Sequence, residues 1–363
     1  MAQGWTGGAD APPMLRDIAR QPDVIAALLE RADDFLAPGR ELVAPGPGGR
    51  VFVCGCGDGY FAAQAARGFA EGLGLDWRPI GALDLVLAAG RLAPADRVVA
   101  ISMSGNVDRT VEAARAVDAR GAPMLALVNG GGGRLGAIAQ AKVSLDIADV
   151  APFLCGTASY TATILALMLL AAGAGGGDVG RLAILPSLLR ATLAASEAST
   201  LDRPPSGVRM LAAGSEIGTA QYGAAKFVEL TRVPAWHGDL EEFAHSQYWA
   251  MPPGDLVVII ATAPALACYA DDACEALGQL GVATLAVDVE GAEVSHAGVR
   301  ITLPAVESAL APLLSALPLQ RLAYAMAERS GLDPNTRLHL KNDEARFRVS
   351  RLLTRRSLLG TGQ

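Results

Sequence analysis

Positive charge is scarce in this sequence and mostly unclustered. Of 363 residues, 30 are Lys or Arg against 37 Asp or Glu, a formal net charge of −7. A nucleic-acid surface needs grouped Lys and Arg to neutralise phosphates, so that class of partner is excluded. A local exception runs from Lys341 to Arg356 and holds Arg346, Arg348, Arg351, Arg355 and Arg356. It reads as a solvated or interface helix. Paired cysteines are missing too. Cys54, Cys56, Cys155, Cys268 and Cys274 are odd in number, and MAQGWTGGADAPPMLRD has no basic stretch leading into an apolar run. The expectation is a cytoplasmic protein with reduced thiols. Cys54-x-Cys56 has no second Cys or His pair at ligand spacing, so no metal is expected.

Val150 to Gly177 lacks charge altogether. By length it is a candidate membrane span. Pro152, Thr157, Ser159, Tyr160, Thr161 and Thr163 interrupt it, and it sits alone in an otherwise soluble pattern. It reads as a buried helix in a domain or dimer core, which implies at least a homodimer and no membrane.

What is present is 51% hydrophobic residues, enough core for two domains. The chain repeats itself. Arg50-Val-Phe-Val-Cys-Gly-Cys-Gly-Asp runs from an apolar strand into a glycine turn and a helix over 60–73. A second strand starts at Arg97, a helix covers 107–120, and a third strand starts at Pro123. The second half gives the same order, with strands from Val208, Asp255 and Ala283. The first-to-second spacing is nearly equal, Val53 to Val99 and Leu211 to Val257. Short β-branched strands alternating with helices predict a doubly wound α/β fold. Leu201-Asp-Arg-Pro-Pro-Ser-Gly marks the join. The predicted organisation is a helical lead-in over 1–48, domains over 49–198 and 199–340, and a tail over 341–363.

Two turns suit anions. Gly55-Cys56-Gly57-Asp58-Gly59 lies between strand and helix, where backbone N–H groups face outward. The dinucleotide fingerprint is incomplete, because Tyr60 stands where its third glycine belongs, so no nicotinamide cofactor is expected. Ser102-Met103-Ser104-Gly105-Asn106 combines two hydroxyls, a glycine and a helix start, a compact nest for one phosphate. The competing reading is capping of the next helix by Ser104 or Asn106. The matching turn in the second half, Ala261-Thr-Ala-Pro-Ala, lacks the pattern, so one phosphate site per chain is expected.

These segments resemble the SIS (sugar isomerase) family, in particular double-domain members such as the isomerase half of glucosamine-6-phosphate synthase and the fructosamine-phosphate deglycases. The family's G-x-G-T-S loop is matched by Gly55 to Gly59, its S-x-S-G-E-T loop by Ser102 to Val107, and its G-V-A-S segment by Gly156-Thr157-Ala158-Ser159. A helical Lys and Glu three apart, with a His sixteen residues further, is matched by Lys226, Glu229 and His245; a late lysine is matched by Lys341. Asp58, Gly59 and Val107 depart from the hydroxyl residues of the pattern. The stretch from Met1 to Gly48 is too short for a glutamine-hydrolysing domain.

The resemblance implies two three-layer αβα domains with mainly parallel, five-stranded, flavodoxin-like sheets. It also implies contacts to a sugar phosphate from Cys56, Gly57, Asp58, Gly59, Ser102, Met103, Ser104, Asn106, Val107, Thr157 and Ser159. Glu229 would move a proton between C1 and C2 with Lys226 holding its carboxylate in place. His245 would open the ring, across a dimer interface, and Lys341 would bind a ketose carbonyl or form a Schiff base with it. The expected function is isomerase or deglycase chemistry on a phosphorylated amino sugar or ketosamine, with no cofactor. The alternative is a non-catalytic sugar-phosphate-binding regulator.

Overall fold

The computed structural model describes residues 10–196, 201, 203–354 and 357–358. Helices α1 (Pro13–Ala19), α2 (Gln21–Glu30) and α3 (Asp33–Pro38) come first. β1 (Val51–Gly55) leads to α4 (Asp58–Ala65) and α5 (Arg67–Gly72), β2 (Trp77–Gly81) to α6 (Ala82–Ala88), and β3 (Arg97–Ile101) to α7 (Asp108–Asp118). β4 (Met124–Val128) leads to α8 (Gly133–Ile138), and β5 (Ala141–Ser144) to α9 (Ala158–Gly175) and α10 (Leu185–Ala195). In the second half β6 (Val208–Ala212) is followed by α11 (Glu216–Thr231), β7 (Ala235–Asp239) by α12 (Leu240–His245), and β8 (Leu256–Ile260) by α13 (Ala267–Gln279). β9 (Ala283–Val289) and β10 (Val299–Leu303) follow, then α14 (Ala311–Arg329), α15 (Leu338–Lys341) and α16 (Glu344–Thr354).

Both five-stranded sheets are parallel, in the orders β2-β1-β3-β4-β5 and β10-β9-β8-β6-β7. From the opposite edge the second reads β7-β6-β8-β9-β10, the same flavodoxin-like order as the first. The repeat is therefore one of topology. Its spacing is not quite equal: Val51 pairs with Arg97, 46 residues on, and Val208 with Leu256, 48 residues on.

Sequence pattern marks three strands in each half. The two it does not mark in each sheet are the edges. β4 and β8 bury every residue, as central parallel strands must. β2 buries only Trp77 and β5 only Val143, and β7 buries none. Edge strands carry Arg78, Pro79, Lys142 and His237, and the proline, with no N–H to give a ladder, suits an edge.

The chain forms two compact units that interleave along the sequence. The first holds 24–149, 159–183 and the described residues from Leu340 on; the second holds the described residues up to Asp23, 150–158 and the described residues of 184–339. The lead-in helix α1 goes with the second unit. There Met14 N donates to Asn335 Oδ1 at 3.0 Å, and the Gln21 amide donates to Gln320 Oε1 at 2.7 Å.

α9 is long and apolar enough to cross a membrane by length and composition, yet 83% of it is buried in the fold. Each residue from Ile164 to Leu170 is fully buried within the single chain. The stretch needs no second copy to cover it, so the homodimer expectation loses the ground it was drawn from.

The packing difference between centre and edge is measurable. Leu127, fully buried in β4, should cost about 2–5 kcal/mol as Leu127→Ala, whereas exposed Lys142→Ala in β5 should stay within about 0.5 kcal/mol, both read by urea unfolding.

Candidate functional site

In a doubly wound parallel sheet, ligands bind outside the carboxyl ends of the strands where the strand order reverses. In the first unit that point lies between β1 and β3, and both sequence-marked turns emerge there. Gly57 has φ +54°, and α4 starts at Asp58 directly after it. A Cβ on Gly55 would come within 2.8 Å of the Gly59 and Tyr60 backbone, and one on Gly59 within 3.0 Å of Ile101. Both glycines thus let α4 pack closely on β1 and β3. Cys56 is exposed, and its Sγ accepts from Thr110 Oγ1 at 3.6 Å. Asp58 is partly exposed.

After β3 the chain turns tightly: Gly105 N donates to the Ser102 carbonyl at 2.9 Å, and Asn129 N to the Met103 carbonyl at 2.9 Å. Gly105 has φ +65°, and a Cβ there would stand 1.8 Å from the Gly132 carbonyl oxygen. Ser104 Oγ accepts from Asn106 N at 3.2 Å, and the Asn106 amide donates back to the Ser104 carbonyl at 2.8 Å. Neither side chain caps α7. Its N-cap is Val107, which makes no side-chain cap bond, so the capping reading falls. Arg134 brings a cation to the turn, donating to the Asn106 carbonyl and to Asp108 Oδ1, each at 2.6 Å. Ser102 is only 4% exposed, and its hydroxyl has no hydrogen-bond partner. A buried unsatisfied hydroxyl costs about 1–3 kcal/mol, so Ser102 Oγ is a polar group with bonding capacity left at this turn.

Thr157 and Ser159 have different surroundings. Thr157 is fully buried and donates to Asp17, whose carboxylate also accepts from Ala158 N at 3.1 Å. Those bonds join α1 to the 157–158 turn. The Ser159 carbonyl accepts from Thr163 Oγ1 at 2.6 Å.

In the second unit, Lys226 and Glu229 share one face of α11, with Nζ 3.0 Å from Oε1. The Lys226 side chain is 3% exposed and lies over the Tyr222 ring at 5.4 Å, so this is not an ordinary surface pair. Glu229 is reached by a second cation that sequence reading does not mark. Arg337 Nη1 lies 3.0 Å from Glu229 Oε2, while its Nε and Nη2 donate to the Phe153 carbonyl at 2.8 and 2.5 Å. Its guanidinium also stacks over the Phe153 ring at 4.3 Å. Phe153 and Arg337 both have positive φ, at 65° and 50°. Two non-glycine residues held in that region and touching each other form a built arrangement. His339 Nε2 sits 3.0 Å from the Glu229 carbonyl.

α11 starts at the carboxyl edge of its sheet, but Glu229 comes 13 residues after Glu216, roughly 20 Å along the helix. The pair therefore stands at the end of the helix away from the Gly214–Gly218 turn. His245 ends α12, whose N-cap Asp239 accepts from the backbone of Glu241 and Glu242. His245 Nε2 lies 2.9 Å from Glu241 Oε1, and the ring is not hydrogen-bonded to Glu229. Hydrogen bonds from Tyr269 and His245 hold the Glu241 carboxyl below its usual range. Lys341 closes α15 on the surface.

The equivalent crevice of the second unit is filled by the protein itself. Glu216, first residue of α11, is 6% exposed and accepts from Thr262 and Ser315 hydroxyls, each at 2.7 Å. Burial pushes its carboxyl up.

The Gly105 turn gives a direct test. Gly105→Ala should destabilise the protein by on the order of 1–3 kcal/mol, because it strains φ and drives a methyl into Gly132. Gly131→Ala should be near neutral, since a Cβ there meets nothing within 4 Å. Paired urea titrations measure both.

Residues 47–173 match the SIS domain. The chain is 26% identical over 345 residues to a glutamine–fructose-6-phosphate aminotransferase (isomerizing) of Pyrobaculum aerophilum, covering 89% of this chain and 55% of the relative. The counterpart in Gloeobacter violaceus is 28% identical over 353 residues, covering 88% and 56%. The chain thus spans about half the length of these relatives. Among solved structures it resembles tagatose-6-phosphate ketose/aldose isomerase of Escherichia coli, with TM-score 0.73, 18% identity, and coverage of 92% of this chain and 98% of that one. It also resembles glucosamine-6-phosphate deaminase of Thermotoga maritima, with TM-score 0.71, 18% identity, and coverage of 89% and 96%. Residues 47–173, which hold the whole of the first sheet, thus carry the match to the SIS domain, and the second sheet repeats its strand order.

Proposed function

We propose that this protein is a phosphosugar isomerase, deglycase or deaminase that opens a phosphorylated amino sugar or ketosamine and transfers a proton between C1 and C2. The observation that carries the reading is Glu229, a half-exposed carboxylate with one oxygen on Lys226 and the other on Arg337. Pure binding of a sugar phosphate needs no base. A carboxylate held at both oxygens, yet still reachable from solvent, is built for repeated proton transfer at one place.

The phosphate would lie on the Ser102–Val107 turn, bound by Ser102 and Ser104 hydroxyls and by backbone N–H groups at the start of α7. Met103 and Asn106 shape that turn. Cys56, Gly57, Asp58 and Gly59 would meet the sugar hydroxyls or a substrate amine, with Thr157 and Ser159 supporting the neighbouring segment. His245 would exchange the ring-opening proton, serving a partner's site in a homodimer, and Lys341 would engage the carbonyl. The names of the relatives, an isomerizing aminotransferase, a ketose/aldose isomerase and a deaminase, support this substrate class. The second reading, a sugar-phosphate-binding regulator, is favoured by Val107, whose exposed apolar side chain stands where the family pattern has a hydroxyl.

Two mutants separate binding from chemistry. Ser104→Ala should raise KM for a turned-over hexose or hexosamine phosphate with kcat little changed, read from steady-state kinetics. Glu229→Gln should slow exchange of the sugar C1 or C2 proton with deuterated water by on the order of 10²–10⁴, followed by proton NMR across a panel of such phosphates. Equal exchange in parent and mutant removes Glu229 as the base. Phosphosugar binding with no exchange of any panel member moves the regulator reading ahead.

A further inference from the structure

The Ser102–Val107 turn has fewer donors to spare than its sequence suggests. The backbone N–H groups of Ser102, Gly105 and Asn106 are already spent, on the Leu127 carbonyl at 3.0 Å, the Ser102 carbonyl at 2.9 Å and Ser104 Oγ at 3.2 Å. The Asn106 side-chain amide is spent on the Ser104 carbonyl. Val107 adds only an apolar side chain, 41% exposed. The donors left over are hydroxyls and backbone N–H groups, all uncharged. A phosphate monoester carries roughly −1.5 to −2 charge at pH 7, and neutral donors leave it without a counter-charge.

A cation is fixed at this turn. Arg134 follows Gly132 and Gly133, and a Cβ on Gly133 would stand 2.6 Å from the Asn106 amide nitrogen and 2.8 Å from the Ser104 carbonyl oxygen. On the other side, Leu135 N donates to the Gly105 carbonyl at 2.9 Å. The root of the Arg134 side chain is therefore held against the turn from both directions. Its Nη2 donates to the Asn106 carbonyl and to Asp108 Oδ1, each at 2.6 Å, so the guanidinium bridges the two residues that flank Val107. Its Nε reaches Asn106 Oδ1 at 3.4 Å. Nη1 makes no hydrogen bond among the described residues, and the side chain is 48% exposed. An arginine fork held along one edge presents the other, the geometry in which it meets phosphate oxygens.

We infer that Arg134 is a phosphate-binding residue of this turn, and that Asp108 competes with the phosphate for its guanidinium. The inference rests on the phosphate placement proposed above. A phosphate at the start of α7 brings more charge and more acceptor oxygens than the Asp108 carboxylate. The Arg134–Asp108 pair is exposed on both sides, so giving it up costs little. Asp108 lies in the first turn of α7, where the helix start also favours its charge. The pair thus selects phosphate monoesters over uncharged sugars, and Asp108 sets how tightly they are held.

Calorimetric titration of the full chain with glucosamine 6-phosphate and with inorganic phosphate tests it. Arg134→Ala should raise Kd for both by about tenfold to a hundredfold, the worth of a charge-assisted hydrogen bond. Asp108→Asn should lower Kd, because the guanidinium loses its competing carboxylate. In the Arg134→Ala background, Asp108→Asn should lose most of its effect, as residues that act through one another do. Circular dichroism melts should change little, since both side chains are exposed. Ser104→Ala separates this inference from the reading beneath it. If the parent binds neither probe, or Ser104→Ala leaves binding untouched, both fall. If Ser104→Ala weakens binding while Arg134→Ala does not, this inference alone falls. It falls too if Asp108→Asn weakens binding as Arg134→Ala does, which makes the pair a tie of the turn. Equal effects of Asp108→Asn in both backgrounds also overturn it, because Asp108 then acts on the phosphate without Arg134.

Discussion

A parallel sheet must be covered on both faces, and in this chain that constraint decides where anything can bind. β4 and β8 have no exposed residue. Side chains on such strands are spent on the core, so chemistry is pushed to the turns beyond the strand ends and to the helices that cover the faces. At the β1–β3 reversal, one connection leaves toward β2 and the other toward β4. The turns that start those connections are Gly55–Gly59 and Ser102–Val107. The first needs glycine so that α4 can approach β1; the second needs it so that Gly105 can adopt positive φ against Gly132. The same residue type serves packing in one turn and backbone presentation in the other.

The same constraint explains what sequence pattern reveals. The six central strands are apolar for most of their length because both faces are covered, and sequence marks all six. The edges β2, β5, β7 and β10 pair on one side only and tolerate Arg78, Lys142, His237 and Arg300, so their pattern dissolves into that of loops. α9 was ambiguous for a related reason. An all-round apolar helix suits lipid and core alike, and only three-dimensional packing separates them.

The candidate sites divide in the same way. The Ser102 turn is local, and its serines, glycine and helix start lie within six residues, so sequence displays it whole. The Lys226–Glu229 pair is also local, one helical turn apart. Arg337 is not: it reaches Glu229 across 108 residues of chain, from a loop with no periodicity to mark it. Nor does sequence show that the preceding turn and Glu229 sit at opposite ends of α11. Spacing along a chain gives the face of a helix; it does not say which end of the helix a neighbouring strand addresses.

Duplicating a fold duplicates its crevice without duplicating its use. Asp58 and Glu216 hold the same place, each the first residue of the helix after the first strand of its half. Asp58 is partly exposed beside an anion-suited turn, whereas Glu216 is buried and bonded to Thr262 and Ser315. The turn after β8 contains Thr262 and Pro264 but no glycine to take a positive φ, so no nest of N–H groups forms there. A carboxyl already occupies the space, and a phosphate would meet both its bulk and its oxygen lone pairs. With its own crevice filled, the second half offers polar chemistry elsewhere: at the far end of α11, where the helix must run back past the sheet and where Lys226, Glu229 and Arg337 meet. The two halves have thus diverged by closing one crevice rather than by building a new one, and an asymmetric pair of roles follows from a symmetric pair of folds.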